Sequence, residues 1–447
     1  MKQNTECRSS LSSPPSHIAV FGKDLRDAVV ESVHVNTDGS CDIANEWLEK
    51  IRRFCSLYGR RLGAISSSRF GKGKKIHLTW MMEVLLVGAR NHSYKGSAPL
   101  DSACLNAALF CGKALGNDYS EPLQEAVDEL REWLVQQPVE PTMLDAQGAE
   151  LQLKKGRWSN EASLCKDKLI LISPNPYSLF SIAVLEICQR IGLPIGAVVI
   201  RKISTARFVD ELTRDGVSLF TKRVWRKLVL KADENSDAST ASLATFVDGL
   251  SPQYRDIRKT AIAADIPVFS VDRFEEAADM VQSIGAGIGL FTGGGMVPPV
   301  LLNSFTRGVI NTHMGHLPQY KGMDVVQAPI LEGRTDSIGL TTHFMKSALD
   351  AGPTLGRFTI PMAPYRTLGA QRNALSAIMP ILLLDSALGL GSGRLEAIPQ
   401  PPLGRQYYFV HKTLSDVISN YFQVCYDPGA FDAAAECIDI VLEDLLQ

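Results

Sequence analysis

Asn311 and His313 stand two apart at the end of the apolar run GVINTH, inside the string INTHMGHLPQYKG. Alternate residues of an extended segment project to the same side, so a carboxamide and an imidazole at this spacing can converge on one reacting group. Such a pair suits a carbonyl under attack: the amide N–H donates to the developing oxyanion, and the imidazole stabilises charge or shuttles a proton. Asp350, in HFMKSALDAGP, lies in a loop closed by Gly352 and Pro353. A carboxylate there can pair with His313 and receive the proton released by an attacking amine. Each piece alone also has a plain reading, the Asn-x-His as a satisfied strand end and the aspartate as a turn residue bonding its own backbone. Their succession in one order is what favours chemistry. His313, His316 and His343 raise a metal-hydrolase alternative, but no acidic partner is spaced to close a tetrahedral set, so no metal is assigned.

The elements that must carry these residues follow from the apolar pattern. KLILIS (168–173), SLFSIAVLEICQRIG (178–192) and IGAVVI (195–200) read as strand, helix and strand, a βαβ unit that implies parallel pairing. The alternation continues through a helix at 257–267, VFSV, a helix over RFEEAADMVQSIG, GIGLFTG, GVINTH (308–313), a helix over DVVQAPILEG and SIGLTTHFM (337–345). Residues 165–365 are therefore expected to form a doubly wound, mostly parallel α/β domain whose ligands bind beyond the carboxyl ends of the strands. The first such turn, PNPYS, has neither a dinucleotide-binding nor a P-loop fingerprint, and GAGIG (285–289) runs into a strand rather than opening a helix. A nicotinamide or flavin enzyme is thereby disfavoured.

Outside this domain, residues 1–16 read as a mobile tail and 17–150 as a mixed or mostly helical accessory domain, with helices near Asn45–Tyr58, Leu100–Leu115 and Pro122–Val135. His77, His92 and Lys95 are scattered there and are read as structural. A long apolar helix from Thr367 to Leu388, kinked at Pro380, opens a C-terminal helical extension (366–447) that includes a short strand, YYFVH. Lys222, Arg223, Arg226, Lys227 and Lys231 cluster on an expected helix and are read as a solvated basic face.

Over 447 residues, 45% are hydrophobic and 21% charged, the composition of a folded protein of two or three domains. Lys plus Arg total 46 against 48 Asp plus Glu, so bulk attraction for nucleic acid or anionic membrane is not expected. The densest apolar stretch, Ile378–Leu390, is interrupted by Pro380, Asp385 and Ser386, which argues against a membrane span. The polar start MKQNTECRSSLSSPPS points to the cytoplasm. Nine cysteines without a CxxC pair read as buried or incidental thiols.

Taken together, INTHMGHLPQYKG followed by IGLTTHFMKSALDAGPTL resembles the catalytic core of the 10-formyltetrahydrofolate-dependent formyltransferases, over roughly Lys168 to Pro364. That family includes glycinamide ribonucleotide, methionyl-tRNA and sugar N-formyltransferases and formyltetrahydrofolate deformylase. Asn311 and His313 match its Asn-x-His, Leu317, Pro318 and Gly322 its leucine-proline stretch, Thr341 to His343 its threonine-x-histidine strand, and Asp350 to Pro353 its aspartate loop. The resemblance implies that an amine attacks the formyl carbon of 10-formyltetrahydrofolate, that Asn311 and His313 hold the oxyanion, and that Asp350 orients His313 and helps move the proton. It places the pterin against Gly295, Met296, Val297, His343, Ala348 and Leu349. Departures are also visible. PNPYS lacks the loop that holds a ribonucleotide phosphate, Val297 replaces an arginine, Met314 and Gly315 stand for Pro-Ser, and His316 for a leucine. The residues after Pro364 are too few and too helical for an RNA-gripping barrel. A small-molecule or carrier-tethered amine is the acceptor these departures favour; the alternatives are a formyltetrahydrofolate hydrolase and a non-catalytic folate sensor.

Overall fold

The computed structural model describes residues 33–35, 41–43, 48, 51–52, 55, 72–91, 98–116, 120–137, 147–203, 242–323 and 325–445. The expected tail, most of the Asn45–Tyr58 helix, the side chain of His77, residues His92 and Lys95 and the basic cluster from Lys222 to Lys231 lie outside these. Two compact units are built from discontinuous stretches of chain. The first takes Met1–Pro138, Gln327–Arg334 and Tyr407–Val424, and the second takes Val139–Val326, Thr335–Gln406 and Cys425–Gln447.

In the first unit a short antiparallel pair, β1 (Val33–Val35) and β2 (Cys41–Ile43), accompanies helices Lys72–Asn91, Ser102–Leu115 and Glu121–Val135. Ser102–Leu115 begins where the Asp101 carboxylate accepts the N–H groups of Ala103 and Cys104, and it ends on Gly116 at φ 77°. It is apolar nearly all round and accordingly buried. Its one amide, Asn106, donates to the Phe409 carbonyl and accepts the His411 N–H. Those contacts take up backbone groups in YYFVH that a strand would have paired. The observed strand there is Arg405–Tyr407, two residues earlier than expected.

The second unit holds an eight-stranded sheet in the order β3-β11-β10-β8-β7-β4-β5-β6. The strands are β3 (Ala149–Glu150), β4 (Leu169–Ser173), β5 (Ile195–Arg201), β6 (Val268–Val271), β7 (Ile288–Phe291), β8 (Gly308–His313), β10 (Gly339–Phe344) and β11 (Thr354–Thr359), with a short separate strand β9 (Tyr320–Gly322). From β6 to β8 the pairing is parallel, as the βαβ rhythm requires. Beyond β8 it reverses: β10 runs antiparallel to both β8 and β11. Periodicity alone does not encode strand direction, so the mostly parallel expectation holds for the sheet while this local reversal was invisible in it. β9 and β11 also went unread, the first because it has three residues and the second because Gly356 and Arg357 break its apolar run.

Side-chain alternation sorts β8 into two faces. Val309 belongs to a core cluster with Ile170, Ile172, Phe291, Leu301 and Phe305. On the opposite face the Thr312 hydroxyl bonds to Thr342 and reaches the Met379 carbonyl of helix Leu368–Ser392. That helix, assigned by the sequence to a C-terminal extension, packs over β8, β10 and β11 and continues through Pro380. Its length and composition would suffice to cross a membrane, yet 83% of its most apolar window is buried inside the fold. Asp385 interrupts it for a reason: its carboxylate binds Arg157, the Trp158 indole N–H at 3.1 Å and Arg394 at 3.2 Å, and Arg394 also binds Glu161 at 2.6 Å.

Candidate active site

The antiparallel pairing of β8 with β10 sets Thr341 opposite His313 and His343 opposite Asn311. Residues directly across an antiparallel ladder share a face, so all four project to the same side of the sheet. The loop after β10 leaves at Phe344 and returns at Thr354, which pairs back with His343. Asp350 therefore folds back over the two histidines instead of standing beyond a strand's carboxyl end. Its backbone is left-handed, φ 51°, a region an aspartate enters more easily than most residues but only when its surroundings hold it there.

The carboxylate of Asp350 is the hub. Its Oδ2 accepts the Gly322 N–H at 2.8 Å and lies 3.7 Å from His313 Nδ1, and its Oδ1 lies 3.8 Å from His343 Nε2. His313 donates from Nε2 to the Tyr320 carbonyl at 2.8 Å, which places its proton on that nitrogen and turns Nδ1 toward the carboxylate. A Cβ at Gly315 would lie 3.0 Å from both His313 Nε2 and Tyr320 O, so this hydrogen bond needs glycine beside it. Across the ladder, the Thr341 hydroxyl donates to Gly315 O at 2.9 Å and accepts the Leu317 N–H, fixing the turn that follows His313.

His343 is 2% exposed. Burial pushes its imidazole down to about 4, against the pull of Asp350, so it is neutral. Nδ1 donates to Phe344 O at 2.8 Å, which leaves an unprotonated, buried Nε2 without a hydrogen-bond partner facing Asp350. The Lys321 amine, half-buried beside Asp350, is held below the ordinary lysine range by desolvation and donates to Leu403 O at 3.2 Å.

Asn311 departs from the expected role. Both hydrogens of its amide are taken, by Phe291 O at 2.7 Å and Gly293 O at 3.1 Å on the neighbouring strand end. Because both partners are carbonyls, the amide nitrogen must face them, and Oδ1 is the atom turned elsewhere. As placed, Asn311 presents an acceptor rather than an oxyanion donor.

The residues expected against a pterin divide. Gly295, at φ 96°, has open space where a side chain would stand, and Met296 is 69% exposed. Ala348 is exposed and Leu349 half-buried. Val297 is 2% exposed and packs in the core with Leu301 and Phe305, so its side chain is not a wall for a ligand. His316 is likewise a core residue. Its Nε2 faces Phe358 O and Thr359 Oγ1, away from the His313–His343 pair, and the three histidines do not converge.

Residues 271–385 match the family model described as formyl transferase, a stretch that contains Asn311, His313, His343 and Asp350. Over that stretch the chain is similar to the formyl transferase family. A methionyl-tRNA formyltransferase of Listeria monocytogenes is 30% identical over 149 residues, 33% of this chain and 47% of that enzyme. The chain thus spans about half the length of the curated relatives it matches. Among solved structures, a glycinamide ribonucleotide transformylase from Symbiobacterium toebii aligns over 55% of this chain and 95% of its own, with 17% identity and a TM-score of 0.35. An N-formyltransferase from Helicobacter canadensis, in complex with folinic acid and dTDP-3-aminofucose, aligns over 57% and 80%, with 14% identity and the same TM-score of 0.35.

Proposed function

We propose that the protein transfers a formyl group from 10-formyltetrahydrofolate to a substrate amine. The observation that carries this reading is the convergence of one carboxylate on two imidazoles, His313 Nδ1 at 3.7 Å and His343 Nε2 at 3.8 Å, beside the Asn311 amide. Separations of this size leave the groups close enough to exchange a proton through a reacting group without bonding each other directly.

The chemistry follows from what each atom can do. The amine nitrogen forms a bond to the formyl carbon while Asn311 Oδ1 accepts one of its N–H groups and aligns its lone pair. Negative charge grows on the formyl oxygen. When it carries a second proton, on Nδ1, His313 supplies a donor and a positive charge to it. Asp350 takes the proton that the amine sheds, and neutral His343 offers that proton a second acceptor. The bond from the formyl carbon to N10 then breaks, and N10 receives the proton. Amine and formylated folate become formamide and tetrahydrofolate, with no proton gained or lost overall. An exposed Met296 beside the open Gly294–Gly295 turn suits a flat heterocycle. A small or carrier-tethered amine remains the favoured acceptor, because PNPYS lacks a loop for a ribonucleotide phosphate and 46 Lys plus Arg against 48 Asp plus Glu give no bulk attraction for nucleic acid.

His313→Ala and Asp350→Asn are expected to lower turnover about 10²- to 10⁴-fold while leaving a folded protein, read as tetrahydrofolate and formylated amine by mass spectrometry. Turnover within about threefold of wild type in either variant would remove the site from the reaction.

A further inference from the structure

Gln400 lies beyond the stretch that matches the family model, in a proline-rich strap, Ile398-Pro399-Gln400-Pro401-Pro402. The strap starts on β11, where Thr354 and Ile398 exchange two backbone hydrogen bonds of 2.8 Å. It ends against β9, where the Arg405 N–H meets Gln319 O and Lys321 Nζ meets Leu403 O. Between these anchors the Gln400 amide spends both hydrogens on the aspartate loop, donating to Asp350 O at 3.0 Å and to Gly352 O at 2.5 Å.

Besides Gln400, the loop is held by the Met345 N–H on Val309 O at 2.7 Å and by the Asp350 carboxylate on the Gly322 N–H. Its foot is closed by the Phe344 N–H on Pro353 O, and a Cβ at Gly352 would fall 1.7 Å from Phe344 O, so that crossing tolerates only glycine. Its apex, Lys346 to Ala348, is exposed. Asp350 sits between foot and apex in the left-handed conformation, which costs about 1 kcal/mol or more and needs external restraint. Gln400 bonds the carbonyls of residues 350 and 352, the two that flank the turn leading out of that conformation.

We propose that Gln400 is a positioning residue for the formyl transfer, acting through the backbone of Asp350. The same strap braces β9, whose Tyr320 O orients His313 and whose Gly322 N–H holds the Asp350 carboxylate. One segment therefore holds both the aspartate loop and the strand it answers to. This inference rests on the formyl-transfer reading for its kinetic part alone.

The test uses the full-length protein carrying Gln400→Leu, which removes both donors at similar volume, and Gln400→Glu, which turns a carboxylate toward two carbonyls. In both, kcat for formylation is expected to fall on the order of 10- to 100-fold, with KM for the amine moving by less than about threefold and a melting temperature well above the assay temperature. Backbone amides of 346–352 are expected to exchange hydrogen faster than in wild type, while those of β8 and β10 are unchanged. Wild-type kcat in Gln400→Leu would overturn the proposal. If the wild-type protein formylates no amine, the formyl-transfer reading fails by itself, and the exchange measurement decides the positioning role: equal rates in 346–352 would overturn it.

Discussion

At the scale of single residues, the site depends on small groups that clear space for larger ones. Gly315 stands where the resemblance leads one to expect serine, and a Cβ there would crowd His313, Tyr320 O and, at 2.9 Å, Val325. Gly315→Ser is therefore expected to swing the imidazole off Tyr320 and cut kcat about 10- to 100-fold for a stability loss of about 1–3 kcal/mol, measured by steady-state kinetics beside urea melts. Unaltered kcat would show that the Tyr320 bond does not orient His313. Asn311, His313 and Asp350 could be singled out because they occur in motifs whose residue types already imply a carbonyl under attack. Atom-level roles could not. Which end of the Asn311 amide faces the reaction depends on Phe291 O and Gly293 O, carbonyls on another strand that spacing along the chain does not reveal. Gln400 was hidden for a similar reason, since a glutamine among prolines carries no signal until the loop it binds is known.

Between elements, strand direction does the positioning. Alternation along SIGLTTHFM marks a strand equally well whichever way it runs, yet only the antiparallel pairing with β8 sets His343 against Asn311. The helix Leu368–Ser392 was legible as a long apolar element, but its place over β8, β10 and β11 was not, because nothing local distinguishes a helix added at the end of a domain from one that covers its sheet. What ties it down is polar. Asp385 is the shared partner of Arg157, Trp158 and Arg394, and removing it leaves Glu161 as the one carboxylate for both cations, 2.6 Å from Arg394 and 4.0 Å from Arg157. Asp385→Ala is expected to destabilise the second unit by about 2–3 kcal/mol in chemical unfolding, because two half-buried cations then share one carboxylate and the Trp158 indole N–H loses its acceptor. A loss below about 1 kcal/mol would mean that water reaches the cluster.

Across the whole molecule, pH dependence collects the buried imidazoles. Burial holds His316 and His343 at about 4, below the ordinary histidine value, so the unfolded chain takes up protons there that the folded chain refuses. The stability they contribute is fully present above about pH 6.5 and is lost as pH falls toward 4. Urea midpoints of the second unit should be flat between about pH 7 and 8 and decline below 6.5, and His316→Leu should flatten part of that decline. A profile identical to wild type would place the acid sensitivity elsewhere. The division of the chain into units was the least legible feature, since the first unit recruits 327–334 and 407–424 from far along the sequence. Such long-range recruitment leaves no mark on composition. The helix Leu368–Ser392 carries one more consequence, in the order of synthesis. Every strand from β3 to β11 leaves the ribosome before it does, so a growing chain must hold the greasy side of β8, β10 and β11 bare until the segment near 392 emerges. Chaperones that shield nascent apolar surface are expected to engage this protein during that interval, and slowed translation downstream of β11 would prolong its exposure.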